Sequence, residues 1–123
     1  MRAGFLSTLE CALCGRQYEP DRLWNLCPEC NRPLLCRYDL EAAGRVVDPI
    51  AFHQREPTMW RYRELLPLRD ERHQLTLGEG WTPLVHATRL GAALGFERLY
   101  IKDESLNPTG SFKARGLSMA VSR

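Results

Sequence analysis

Apolar residues in the second half of the chain fall into short runs whose spacing changes from one run to the next. Leu84-Val85 closes a brief extended run after Trp81-Thr82-Pro83. Leu90, Ala93 and Leu94 then recur at helical spacing, which predicts a helix over Arg89–Leu94, capped by Thr88 and stopped by Gly95. Leu99-Tyr100-Ile101 predicts a short strand. Asn107-Pro108-Thr109-Gly110 is a turn by composition, since Pro fixes φ and Gly permits φ > 0, and Ser111 follows as the N-cap of a helix beginning at Phe112. The order strand, helix, strand, turn, helix predicts an α/β domain, where ligands sit beyond the carboxyl ends of strands. Leu99, Ile101, Leu117 and Val121 are expected to remain uncovered on so short a sheet.

The first half reads differently. From Tyr38 to Leu75 the chain is charged and broken by Pro49, Pro57 and Pro67, so it is a connecting region with short helices. One of these runs from Trp60 to Leu66, capped by Thr58 and stopped by Pro67, with Trp60 and Leu65 as packing residues. The expected organisation is a cysteine module over residues 8–37, a connector over 38–76 and the start of an α/β domain over 77–123.

Charge adds little, because 17 Lys+Arg against 15 Asp+Glu predicts no strong attraction to nucleic acid or an anionic membrane. His53, His73 and His86 lack metal-ligand spacing. Met1–Glu10 offers only Phe5-Leu6 as an apolar pair, too short for a signal-peptide core, and no window approaches the roughly 20 apolar residues of a membrane span. A cytoplasmic location is the default expectation, and it makes disulfides a poor use for five cysteines.

Cys11-x-x-Cys14 and Cys27-x-x-Cys30 are two knuckles twelve residues apart, a spacing that lets four thiolates converge on one ion. Gly15 and Pro28 suit the tight turns, and Arg16–Tyr18 and Leu23–Asn25 are expected as short strands that return the chain. A closed tetrahedral thiolate site is a structural Zn2+ pattern, with iron at the same ligands or a site that has lost its metal as alternatives. Cys36 is left over as an ordinary thiol. Trp24, Arg16, Arg22 and Arg32 could offer a stacking and phosphate-contacting face, but neighbouring Glu10, Glu19, Asp21 and Glu29 favour a solvated rim.

Lys113 and Arg115 fall in the first turn of the last helix, where two cations oppose the helix dipole by about 0.3–1 kcal/mol each if exposed. The same positive field favours the neutral amine of Lys113, and such an amine can attack a carbonyl to form a Schiff base and then shuttle protons.

Gly78-Glu79-Gly80-Trp81-Thr82-Pro83-Leu84 followed by Lys102-Asp103-Glu104-Ser105-Leu106-Asn107-Pro108-Thr109-Gly110-Ser111-Phe112-Lys113 resembles the start of threonine synthase, a pyridoxal-phosphate enzyme of the tryptophan-synthase-β fold type. The cysteine module resembles the zinc-ribbon-like leader of some members. The resemblance implies a small four-cysteine, zinc-ribbon-like module followed by the incomplete start of a fold type II α/β domain. It implies Lys113 as the catalytic residue that holds pyridoxal 5'-phosphate, Ser111 beside the cofactor, and Asn107 and Thr109 on the substrate side. It further implies a small amino-acid substrate, O-phospho-L-homoserine, converted with water to threonine and phosphate, no nucleic-acid partner, and a homodimer of the full-length enzyme. Lys102 and Arg115 are read as ion-pair partners of Asp103 or Glu104. Many threonine synthases carry aspartate after the lysine where this chain has Ala114, which keeps threonine dehydratase-like and cysteate synthase-like reactions open. A zinc-ribbon binding module without catalysis is the competing reading. Because no glycine-rich phosphate loop precedes Arg123, the isolated chain is expected to be inactive and to need the remainder of the catalytic domain.

Overall fold

Leu6, Leu9 and Cys11 are buried while Ser7 between them is exposed, and this uneven alternation forms strand β1 (Leu6–Cys11). The computed structural model describes residues 4–123; Met1–Ala3, part of the stretch searched for a signal core, lie outside the described residues. Contacts divide the chain into two units, one of residues up to Arg55 with Tyr62–Gln74 and Arg123, the other of Glu56–Arg61 with Leu75–Ser122.

In the first unit β1 is the centre of an antiparallel sheet, flanked by β2 (Gln17–Tyr18) and β3 (Leu34–Tyr38). Leu9 faces Tyr18 on one side and Cys36 on the other, and the β1–β3 register slips between Leu6 and Thr8. Cross-strand side chains reinforce the pairing: Thr8 Oγ1 donates to the Tyr18 carbonyl at 2.9 Å, and Arg37 donates to Glu10 at 2.6 Å. Helix α1 (Leu40–Val46) starts where Asp39 accepts the Ala42 N–H at 2.8 Å, and it buries Ala43. Leu6, Leu9, Ala43 and Leu68 belong to this unit's core, and burying each leucine is worth about 1.5–3 kcal/mol.

Two expectations need correction here. The expected strand at Arg16–Tyr18 exists as β2, but Leu23–Asn25 forms none: Leu23 is 92% exposed, and the Trp24 indole N–H donates to the Glu19 carbonyl at 2.9 Å. The second strand beside β1 is β3 instead. The expected helix after Thr58 is a 3-10 segment over Met59–Leu65, interrupted at Tyr62, whose φ of −103° and ψ of 25° leave helical geometry. Thr58 still caps it through the Trp60 N–H at 3.2 Å, and Trp60 is buried, but Leu65 is largely exposed.

The second unit contains β4 (Leu84–His86), α2 (Thr88–Leu94), β5 (Tyr100–Lys102) and α3 (Lys113–Ser122). The predicted order of elements is present, yet β4 and β5 pair antiparallel, Val85 facing Ile101, rather than as the parallel pair of a crossover unit. The Ala87 N–H bonds the Leu99 carbonyl at 2.9 Å, so the chain leaving α2 is drawn back beside the end of β4. Ala87, not Thr88, occupies the N-cap position and gives no side-chain bond, whereas Gly95 ends α2 in the left-handed region at φ 78° as expected. Helix α3 begins one residue after Phe112. Ile101, Leu117 and Val121 are exposed, and Leu99 is half-buried. Among the described residues no helix is long and apolar enough to cross a membrane.

Candidate functional site

The turn before α3 is fixed from beneath by a continuous polar network. The Gly110 N–H closes it onto the Asn107 carbonyl at 2.7 Å, and Gly110 takes a φ of 69°. Asn107 is buried and its amide is fully committed: Oδ1 accepts the Gly80 N–H at 3.0 Å, while Nδ2 donates to the Glu104 carbonyl at 3.1 Å and to Glu104 Oε2 at 2.8 Å. Arg115 completes the clamp with two bonds to Glu104, at 2.7 and 2.8 Å, and one to Thr82 at 3.3 Å. The Arg115 guanidinium, helped by the Thr82 hydroxyl, holds the Glu104 carboxyl well below the usual carboxylate range. Of the two cations read as ion-pair partners, Arg115 pairs with Glu104, while the Lys102 ammonium donates to the Thr82 carbonyl.

On this platform Lys113 stands exposed at the first position of α3, its N–H bonded to Ser111 Oγ at 3.3 Å. The Ser111 hydroxyl thus meets the first helical N–H, although α3 begins one residue later than the sequence predicts. Thr109 is exposed and lines an apolar hollow of about 380 Å³ with Leu75, Leu77, Ala114, Leu117 and Val121. The turn thus brings Asn107, Thr109, Ser111 and Lys113 into one loop, with Asn107 facing inward as its anchor. An accessible primary amine at the start of a helix, just after a fixed turn, is a group that can condense with an aldehyde.

Sequence reasoning missed Glu79. This acid is completely buried, and its carboxylate accepts from the Trp60 indole N–H at 3.1 Å, the Thr76 hydroxyl at 3.1 Å and the Leu77 N–H at 2.8 Å. Burial opposes its charge, but its own N–H, the Leu77 N–H and the Thr76 and Ser118 hydroxyls outweigh it and lower its pKa. The next residue, Gly80, has a φ of 108°, and a Cβ there would meet the Met59 nitrogen at 2.5 Å. The only signal in the sequence was the pair of glycines flanking an acid.

The cysteine cluster is assembled by two matching knuckles. Cys11 Sγ accepts the N–H groups of Leu13 and Cys14, each at 3.4 Å, and Gly15 turns the chain at φ 70° as its N–H returns to the Cys11 carbonyl. Asn31 plays the same part in the second knuckle, at φ 55° with its N–H on the Cys27 carbonyl at 2.9 Å. The sulfurs of Cys11, Cys14, Cys27 and Cys30 all lie within 4.8 Å of one another. A tetrahedron with Zn–S bonds of about 2.3 Å requires S···S separations of about 3.8 Å, so the four fit one ion. Cys36 stands on β3, outside this group.

The thiols differ in environment. Burial pushes the Cys27 thiol up, but the Tyr18 phenol and the N–H groups of Glu29 and Cys30 outweigh it and bring it down to about 6. The neighbouring Cys11 thiol, with burial, pushes Cys30 up to about 12. Around the cluster, Arg16 pairs with Glu29 and the Arg22 guanidinium lies 4.7 Å from the Trp24 ring centre.

Residues 75–123, the segment that presents Lys113, match the family described as pyridoxal-phosphate dependent enzyme. The chain is a relative of threonine synthase, as its motifs suggested. It is 42% identical over 113 residues to the threonine synthase of Methanocaldococcus jannaschii, covering 92% of this chain and 28% of that protein. It is 37% identical over 115 residues to that of Methanosarcina acetivorans, covering 94% and 27%. To that of Mycobacterium bovis it is 49% identical over 76 residues, 61% of this chain and 21% of the relative. The chain therefore spans little more than a quarter of the length of the Methanocaldococcus and Methanosarcina proteins. No solved structure matches it.

Proposed function

We propose that this chain is the amino-terminal part of a pyridoxal-phosphate-dependent threonine synthase of fold type II, converting O-phospho-L-homoserine and water to L-threonine and phosphate. The observation that carries the reading is the exposed Lys113 amine on a turn locked by Asn107, Glu104 and Arg115, within the segment that matches the cofactor family. Pyridoxal phosphate, when bound, supplies the electron sink that acidifies the substrate's α-carbon. Lys113 would hold it, and its Nζ would take the proton from the substrate's α-carbon and return protons during the replacement of phosphate by water. The Ser111 hydroxyl borders the cofactor, and Thr109 borders the substrate. Asn107 serves the substrate side from beneath, fixing the turn with an amide spent on Gly80 and Glu104.

In this reading the four-cysteine cluster is a structural zinc site, the protein is cytoplasmic, the full enzyme is a homodimer, and further chain supplies the cradle for the cofactor phosphate. The 123-residue chain alone is inactive. Ala114 favours a second reading, because it is 2% exposed where many threonine synthases have aspartate. A carboxylate is thereby absent beside Lys113, and a related dehydratase-like or cysteate synthase-like reaction fits the same lysine.

The test is borohydride reduction of the full-length parent with bound cofactor, followed by mass spectrometry and assay on phosphohomoserine. The adduct is expected on Lys113, with turnover abolished in Lys113→Ala. An adduct elsewhere, or full turnover in the alanine variant, would overturn the assignment; an adduct on Lys113 without threonine formation would leave the lysine in place and shift the reaction.

A further inference from the structure

Four thiolates around one ion carry more negative charge than a divalent metal neutralises, so hydrogen-bond donors aimed at the sulfurs matter to the stability of such a site. Both buried sulfurs have N–H groups of their own knuckle beside them, but Cys27 has one donor more. Cys11 has the N–H groups of its own knuckle. Cys27, 2% exposed, faces a side chain from outside both knuckles: the Tyr18 hydroxyl lies 3.0 Å from Cys27 Sγ.

That hydroxyl is held in place from several directions. Tyr18 lies on β2 opposite Leu9, and its carbonyl accepts Thr8 Oγ1 at 2.9 Å. Its ring packs on Trp24 with centroids 4.8 Å apart and planes tilted by 56°, and Trp24 is anchored in turn to the Glu19 carbonyl and covered by Arg22. A phenol fixed by backbone pairing and ring packing has little rotational freedom to lose when it donates to sulfur. Cys14 differs, being exposed.

Resting on the reading of the cysteines as a metal site, we propose that Tyr18 is an integral outer partner of that site, donating its O–H to the Cys27 thiolate and setting how tightly the ion is held. The position has no ligand spacing to the cysteines, which is why a count of Cys-x-x-Cys pairs does not reveal it. Phenylalanine preserves the strand and the packing on Trp24 and removes only the donor, so Tyr18→Phe isolates the bond.

The reduced, metal-free 123-residue chain is titrated with Zn2+ against a chromophoric chelator, and with Co2+ while the sulfur-to-cobalt absorption is recorded. Wild type is expected to bind one ion per chain. Tyr18→Phe is expected to keep that stoichiometry but bind at least about tenfold more weakly, the lower end of the 10–100-fold effect of outer partners, with a shifted cobalt band. Affinity within twofold of wild type and an unchanged band would overturn the role of Tyr18. Failure of wild type to bind any ion would overturn the metal reading itself. If the variant does not fold, the zinc-loaded wild type decides: a Tyr18 hydroxyl proton protected from exchange supports the bond, and one exchanging freely with water refutes it.

Discussion

Replacing Glu79 by glutamine should destabilise the second unit although the side chain keeps its shape and size. Among the groups around the carboxylate, Trp60 donates to Oε1 and Thr76 and Leu77 donate to Oε2. Glutamine has one acceptor oxygen, so its NH2 must face either the indole N–H or the Leu77 N–H, donor against donor. The Thr76 hydroxyl can turn away, but the other two cannot. One buried N–H left without a partner costs about 1–3 kcal/mol, and hydrogen bonds to a charged group contribute about 1.5–3 kcal/mol each. Glu79→Gln should therefore cost about 2 kcal/mol. Glu79→Ala strands both fixed donors, and after crediting the carboxylate that no longer needs desolvating it should cost about 3–4 kcal/mol. Against a total stability of about 5–15 kcal/mol these are large fractions. Urea denaturation followed by tryptophan fluorescence reads both, since Trp60 lies on the altered group. A glutamine variant as stable as the parent would show that the ionised acid is not what anchors this loop.

Two further changes bear on the same region and on the charges. Gly80→Ala places a methyl group 2.5 Å from the Met59 nitrogen at a φ of 108°, and a loss of about 2 kcal/mol or more is expected as a lowered melting temperature; an unchanged melt would refute the close approach. Glu104, Glu64 and Asp70 all have carboxyl pKa values lowered chiefly by arginine hydrogen bonds. In the unfolded chain these groups take up protons near their ordinary values of 4.5 and 3.8, while the folded chain resists. Their stabilisation is thus complete above about pH 5 and is lost as pH falls through the lowered folded values. Melting temperatures recorded from pH 7 to pH 3 should fall on the acid side, and a flat profile would contradict the pairing.

What could be read from the sequence was local. The cysteine knuckles and the Gly95 stop each depend on residues within a few positions, and each is where the sequence placed it, while the Ser111 hydroxyl bonds the start of a helix that begins one residue later than expected. Strands β1 and β3 were not anticipated, because Leu6-Ser7-Thr8-Leu9-Glu10-Cys11 does not alternate cleanly and its partner lies more than twenty residues away. The antiparallel return of β5 was hidden for a similar reason, since it depends on how α2 turns the chain. At the lysine, the residue type and the turn were legible while the support was not. Asn107 was read as a substrate contact from its place in the motif, and nothing local showed that its amide would be taken by Gly80 and Glu104. A buried Glu79 was still less visible, because acids are rarely enclosed unless paired and its indole partner is nineteen residues earlier.

The unit that carries Lys113 is sewn from two stretches of chain, Glu56–Arg61 and Leu75–Ser122. The family match begins at residue 75, yet a gene cut there would discard Trp60 and leave an enclosed acid facing the space its indole had filled. Anyone trimming this polypeptide for expression, or grafting its lysine segment onto another scaffold, would need to carry the earlier six residues along. The edge of the family match and the edge of the folding unit are different places on this chain.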